Sequence, residues 1–263
     1  MGWGFIALKW VQRGKAGVVT KAAILCGGVG TRLKPLTDYF QKTMIPIGPR
    51  RRPLLEYVVR LLVNNGVHDI VMLCGYRAEE IENYFGDGQR FGANIGYSLD
   101  PKDGKGSAVA LLHAIDNGKI GKFDDLVVYY GDVLSSLDIR ALLIKMRQAE
   151  AAVAIAVSKD YNVPVGVVEV KKDQIVRLRE KPNLNLGVTT GALAISKKTV
   201  TVLRESVRTG GTDIMSHFVP RVIEKGMKVV PFYQKGFWYD VGTTEAYERL
   251  DPMRLQADLG FLG

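Results

Sequence analysis

The chain has little cysteine: two residues, Cys26 and Cys74, with no CxxC pair. That spacing speaks against a disulfide scaffold and against a cysteine zinc site. Histidine is scarcer than its chemistry would need. His68, His113 and His217 lie far apart and make no HExxH, so they read as surface or core residues. Long apolar runs are missing too. The longest, Ala151 to Val157, is far too short to span a bilayer. The first ten residues have no basic n-region and no small-residue cleavage pattern, which argues against a signal peptide. A cytoplasmic location and no membrane partner are the expectation. Neither internal repeats nor low-complexity segments occur.

What is present fits a folded α/β protein. Of 263 residues, 47% are hydrophobic and 24% charged, too apolar for a disordered tail and long enough to bury a sizeable core. The charge is lopsided, with 36 Lys and Arg against 27 Asp and Glu, net +9. A phosphate-rich partner suits that sign, as does a plain solvated basic surface. Arg50-Arg51-Arg52 is a short basic run, but the other basic residues are scattered and no nucleic-acid-binding motif accompanies them. No nucleic acid partner is expected. Composition leaves open whether the chain forms a homo-oligomer.

Residues 1–20 stand apart as an N-terminal extension, with an apolar cluster at Trp3, Phe5, Ile6, Leu8 and Trp10. From Lys21 onward strands and helices alternate. Ala22–Leu25, Asp69–Leu73, Asn94–Leu99, Leu126–Tyr130 and Ala151–Val157 read as strands. Leu54, Tyr57, Val58, Leu61 and Leu62 fall on one face of a helix, and Ala108, Leu111, Leu112 and Ile115 on another. This rhythm predicts a doubly wound, mostly parallel, Rossmann-like sheet with helices on both faces. The pattern changes over about 160–200. Val165–Val170, Ile175–Leu178 and Gly187–Ser196 are strand-like with little helix between them, which predicts a smaller mixed sheet inserted in a domain of residues 21–250. A later helix is expected around Ile214–Val222 and a last one over Thr244–Leu255. Residues 251–263 are taken as a C-terminal tail.

The strongest local signal is Leu25-Cys26-Gly27-Gly28-Val29-Gly30-Thr31-Arg32-Leu33. A strand runs into a glycine-rich loop, where backbone N–H groups can approach phosphate oxygens without side-chain clash. The dinucleotide fingerprint GxGxxG would need glycine at Leu33, and no GK[ST] follows to make a P-loop. The loop is a phosphate cradle of another kind. Lys42, ten residues on, is on its own terms a surface charge or a phosphate ligand. Asp132 ends a buried strand, where a carboxylate at the carboxyl edge of a parallel sheet faces the ligand crevice. The plainer alternative for it is a cap on the helix starting near Leu137. Asp240 also sits at a strand end, and two such carboxylates could share one Mg²⁺.

The order of these segments resembles the sugar-1-phosphate nucleotidyltransferases, also called nucleotide-sugar pyrophosphorylases. Gly27 to Thr37 matches their GGxGTRLxPLT in full, and Lys42 before Ile45-Pro46-Ile47 matches the lysine that follows. Gly106 to Leu111, Gly131-Asp132, Glu180-Lys181-Pro182 and Trp238 to Thr243 correspond, in order, to further segments. The resemblance runs from residue 21 to about 250 and implies that this is the catalytic domain, with the strand-rich part taking the sugar phosphate. It also implies an enzyme making an NDP-sugar and pyrophosphate from an NTP and a sugar 1-phosphate, of the glucose-1-phosphate thymidylyl- or uridylyltransferase or mannose-1-phosphate guanylyltransferase type. Arg32 and Lys42 would be catalytic. Leu25, Gly27, Gly28, Gly30, Thr31, Gly106 and Ser107 would hold the nucleotide. Gly166, Glu180, Lys181 and Thr190 would hold the sugar phosphate, and Asp132 and Asp240 the Mg²⁺. A catalytically silent sugar-nucleotide sensor or regulatory subunit on the same fold is the alternative. Three departures stand out. Val165 replaces a tyrosine that often precedes Gly-Val-Val, Thr189-Thr190-Gly191 replaces Asn-Ala-Gly, and no glutamine lies near Asp100 or Pro101, where some members read thymine or uracil. The sequence ends at Gly263 without the left-handed β-helix of many relatives, so a short form is expected.

Overall fold

Ala22, Ala23 and Ile24 are wholly buried because their strand sits mid-sheet, with its two faces in different cores. The computed structural model describes residues 17–101, 104–163 and 165–260, so the expected apolar cluster of residues 3–10 lies outside the described residues. In chain order the strands begin with β1 (Thr20–Leu25), β2 (Pro46–Ile47), β3 (Arg52–Pro53), β4 (Asp69–Cys74), β5 (Asn94–Leu99), β6 (Asp125–Tyr130) and β7 (Val133–Ser135). They continue with β8 (Val153–Ser158), β9 (Val167–Lys171), β10 (Gln174–Arg179), β11 (Val188–Ser196), β12 (Val229–Tyr233) and β13 (Trp238–Asp240). A seven-stranded sheet has the order β12-β8-β11-β6-β1-β4-β5. Within it β11 alone runs antiparallel to its neighbours.

Alternation along the strands decides which core each side chain enters. Ala22 and Ile24 join one cluster with Leu54, Leu61, Met72 and Tyr129. Ala23 joins the other, with Leu73, Leu111, Val128 and Phe218. The helix Leu54–Asn64 covers the first face and Ser107–Asp116 the second, as their apolar spacing requires. Among the described residues no helix is long and apolar enough to cross a membrane.

The doubly wound sheet and the small separate sheets agree with expectation, but one strand changes place. The sequence pattern groups Gly187–Ser196 with the smaller sheet. Instead β11 lies inside the central sheet between β6 and β8, with Ala192 to Ile195 buried. What remains outside is an exposed antiparallel ribbon, β9 with β10, and two further antiparallel pairs, β7–β13 and β2–β3. Two helical details also differ. Val200–Arg208 is a helix that the β-branched start Val200-Thr201-Val202 conceals. The expected helix over Thr244–Leu255 is two, Thr244–Glu248 and Pro252–Leu259. Pro252 starts the second, where a missing N–H costs nothing, and Asp251 caps it by accepting from Met253 N at 2.8 Å. Its Leu255 and Leu259 are buried in the first core cluster.

Glu56 is a charge inside this framework, 3% exposed on the inner face of the Leu54–Asn64 helix. Its Oε1 accepts from Arg60 Nε at 2.7 Å and pairs with Arg52 Nε at 3.4 Å, and its Oε2 accepts from the Tyr84 hydroxyl. A buried carboxylate is tolerated only with such partners. Glu56→Gln keeps the shape but removes the charge, and we expect it to lower unfolding free energy by about 1–3 kcal/mol in urea titration. An unchanged midpoint would show that the three partners add nothing.

Candidate active site

The site begins where β1 ends. Cys26 N donates to Leu73 O at 3.0 Å and Gly131 N donates to Leu25 O at 2.9 Å, so the chain leaves β1 held on both sides. Leu25, Gly27 and Gly28 then line a cavity of about 470 Å³ with Lys42, Gly106 and Ser107. Gly30 turns the loop at φ 71°, and a Cβ there would lie 2.9 Å from Thr37 Cγ2 and 3.0 Å from Lys42 Cβ. Only glycine meets both demands. Thr31, exposed, opens a short 3₁₀ turn to Leu33, which is buried and anchors it. Arg32 in that turn is exposed, and its guanidinium forms no ion pair with any described residue.

Gln41 fastens the Lys42 segment to this loop. It is fully buried, its Nε2 donates to Cys26 O at 2.5 Å, and its Oε1 accepts from Thr43 N at 2.6 Å and Thr43 Oγ1 at 2.7 Å. Lys42 is thereby aimed inward, where its Nζ pairs with Asp132 Oδ2. The surface-charge reading of Lys42 and the helix-cap reading of Asp132 both fall away. The helix Ile139–Gln148 is capped by Asp138, which accepts from Ala141 N at 2.8 Å.

Asp240 reaches the same place from the far end of the chain. In the β7–β13 pair it stands opposite Val133, and Val241 N donates to Asp132 O at 3.0 Å. Arg32, Asp132, Thr190, Trp238 and Asp240 line one cavity of about 400 Å³. Burial pushes the Asp240 carboxyl above the ordinary range, the Asp132 charge pushes it further, and Lys42 and Arg32 oppose the shift. Two adjacent carboxylates fit a divalent cation that takes its remaining ligands from phosphate and water. Among the described residues no three His, Cys, Asp or Glu converge into a closed cage, so a cation here would need substrate oxygens.

The residues expected to hold a sugar phosphate divide. Thr190 is in the cleft, buried, its Oγ1 3.3 Å from Gln234 Oε1. Glu180 and Lys181 follow β10 and are exposed, Lys181 with φ 43°. Gly166 is their neighbour, since a Cβ on it would lie 3.1 Å from Glu180 Oε2. None of these three lines the cavities above or the wider one of about 1090 Å³ bounded by Arg32, Tyr161, Thr189, Trp238 and Asp240. Ser107 lines the glycine-loop cavity, but its hydroxyl is engaged: it donates to Asp213 Oδ2 at 2.8 Å and accepts from Ile214 N at 2.9 Å. Sequence reasoning passed over Asp213 in the second cavity, and met Asp100 in the first only as a missing glutamine. The strand-end rule that singled out Asp132 applies equally to Asp100, which follows β5.

A family model described as nucleotidyl transferase matches residues 21–256. The UTP–glucose-1-phosphate uridylyltransferase of Synechocystis is 31% identical over 249 residues, spanning 86% of this chain and 61% of its own length. The D-glycero-alpha-D-manno-heptose 1-phosphate guanylyltransferase of Campylobacter jejuni is 28% identical over 181 residues, 68% of this chain and 77% of that protein. A crystal structure from Bacillus anthracis, assigned as a glucose-1-phosphate thymidylyltransferase and holding sucrose, superposes with a TM-score of 0.70 at 26% identity. It covers 89% of this chain and 95% of its own. The chain thus spans less than two thirds of the Synechocystis relative.

The raised Asp240 carboxyl has a stability consequence. A group that binds its proton more tightly folded than unfolded opposes folding once ionised. The penalty is full above the folded pKa and fades as pH falls through it toward the unfolded carboxylate range. Asp240→Asn should therefore raise the urea midpoint of the metal-free protein at neutral pH, by an amount that shrinks on acidification. A midpoint lowered at pH 7 would contradict the charge crowding.

Proposed function

The chain belongs to the nucleotidyl transferase family, and from that premise we propose that it joins an NTP to a sugar 1-phosphate, giving an NDP-sugar and pyrophosphate. A phosphate oxygen of the sugar phosphate attacks the α-phosphorus, and the bond from that phosphorus to the bridging oxygen of the departing pyrophosphate breaks. The observation that carries this reading is the convergence of the glycine loop, Arg32, Lys42, Asp132 and Asp240 on one sheet edge. Both reactants are anionic, so the chain's task is positioning and charge neutralisation. No general base is needed, because the attacking oxygen is already ionised.

The backbone of Gly27, Gly28, Gly30 and Thr31 cradles the nucleotide phosphates. Arg32, whose guanidinium pairs with no carboxylate among the described residues, would fork onto oxygens of the leaving pyrophosphate. Lys42 exchanges Asp132 for a phosphate oxygen near the α-phosphorus. Asp132 and Asp240 would hold Mg²⁺, which supplies charge neutralisation to phosphate oxygens when bound. Thr190, Gly166, Glu180 and Lys181 take the sugar phosphate, Lys181 meeting its phosphate and Glu180 its hydroxyls.

Purified protein with each NTP and a panel of sugar 1-phosphates, read by pyrophosphate release, tests the reaction. Asp132→Asn should nearly abolish release while the fold survives, because the amide is no anionic partner for Lys42 or a cation. Arg32→Ala should lower kcat on the order of 100-fold, since charge on the leaving group grows in the transition state. A changed sugar-phosphate KM with unchanged kcat would sink that role. Lys181→Ala should weaken calorimetric binding of sugar 1-phosphate and spare NTP. Loss for NTP alone would put Lys181 on the wrong substrate.

A further inference from the structure

Asp100 stands just past the end of β5, its N–H donating to Cys74 O at 2.7 Å. Its carboxylate is lodged between the ends of two other strands. A Cβ on Gly27 or on Gly75 would collide with Asp100 Oδ2, and a Cβ on Gly75 would also lie 2.7 Å from Gly27 O. Tyr76 N donates to Gly27 O at 3.1 Å and closes this corner. The glycines at 27 and 75 leave room for the carboxylate, and it lines the same cavity as Lys42 and the glycine loop. Yet it accepts a hydrogen bond from no described residue. The side chain is exposed to that cavity rather than buried, so both of its oxygens are open to a ligand's donors.

The loop also gives the cavity a direction. Its Gly27 end abuts Asp100, and its Gly30 end abuts Lys42, which pairs with Asp132. Phosphates belong at the cationic end and are repelled from the carboxylate. On the nucleotidyl transfer reading, the other end of the nucleotide lies against Asp100. We propose that Asp100 selects the nucleobase and that the base is guanine. An ionised carboxylate offers two acceptor oxygens and no donor. Guanine presents two neighbouring donors, N1–H and N2–H₂, one for each oxygen. Uracil and thymine offer a single N3–H flanked by two carbonyls. Adenine and cytosine offer one amine beside a ring nitrogen lone pair that faces the second oxygen. An asparagine at 100 would present one donor and one acceptor, the complement of uracil or thymine.

The test is calorimetric titration of wild type and Asp100→Asn with GTP, ITP, UTP, dTTP, ATP and CTP, without sugar phosphate, beside pyrophosphate release with each. GTP should bind wild type about 10-fold to 100-fold more tightly than UTP or dTTP, the discrimination of one bidentate contact. ITP, which lacks the N2 amine, should lose much of that margin. Asp100→Asn should narrow the GTP-to-UTP ratio at least tenfold with an unchanged melting temperature. If wild type binds and turns over another NTP as well as GTP, transfer stands and the base assignment falls. If Asp100→Asn weakens all NTPs equally, the carboxylate serves the ribose and the assignment again falls. If no NTP binds or releases pyrophosphate with any sugar phosphate, the transfer reading falls and takes the base assignment with it.

Discussion

The double hydrogen bonding of β1, parallel to β4 on one side and to β6 on the other, is the constraint from which the site follows. Parallel neighbours cannot be joined by a tight turn, so each crossover returns the chain to the same edge of the sheet. The loops leaving β1, β4, β5 and β6 therefore open on one side. They bring the glycine loop, Gly75, Asp100 and Asp132 together from four segments of the sequence. Register matters as much as direction. A one-residue slip in β1 would exchange Ile24 and Ala23 between two differently filled cores, and would displace the loop relative to Lys42 and Asp100.

The second half of the site is attached by a weaker device. The three-residue pair β7–β13 carries Asp240 to Asp132 across more than a hundred intervening residues. It delivers a second carboxylate to a place already holding one, and the like charges crowd each other under partial burial. Lys42 and Arg32 offset this without removing it. A fold optimised for stability alone would not keep that arrangement. Crowded charge of this kind marks a site whose missing counter-charge arrives with the ligands.

What the sequence made legible is what depends on nearby residues. The glycine loop shows because backbone approach to phosphate demands glycine within a few positions. The helix Leu54–Asn64 and the parallel strands show because burial imposes a period. Asp132 shows because it follows such a strand, and Asp240 because it ends the short strand β13 of a separate antiparallel pair. Less legible were features set by distant partners. The placement of β11 between β6 and β8 is decided by Ala192–Ile195 fitting beneath two covered faces, which no local pattern of Gly187–Ser196 records. The clamp of Gln41 on Cys26 O and Thr43 is invisible in a segment that reads as polar loop. Asp100 reads locally as a missing glutamine, because the space that receives it is left by Gly27 and Gly75, which follow two other strands. Glu180 and Lys181 matched by order alone, and their place at the exposed end of the ribbon follows from β9–β10 leaving the central sheet.

Gly27 and Gly30 occupy one loop for different reasons, and the difference shapes what the loop can bind. Gly30 answers a backbone demand, a left-handed turn pressed against Lys42. Gly27 has no such torsion. It is small because a carboxylate from the next-but-one strand occupies the space a side chain would take. One end of the cradle thus keeps a cation and the other an anion, within a single cavity. A simple phosphate trap, such as a net charge of +9 would suggest, has no use for a carboxylate beside its glycines. The carboxylate makes sense when the ligand is itself polar end to end, with phosphate at one extreme and hydrogen-bond donors at the other. The loop then does two tasks at once: it neutralises the reacting end, and it rejects an anion or bare acceptor edge placed at the opposite one.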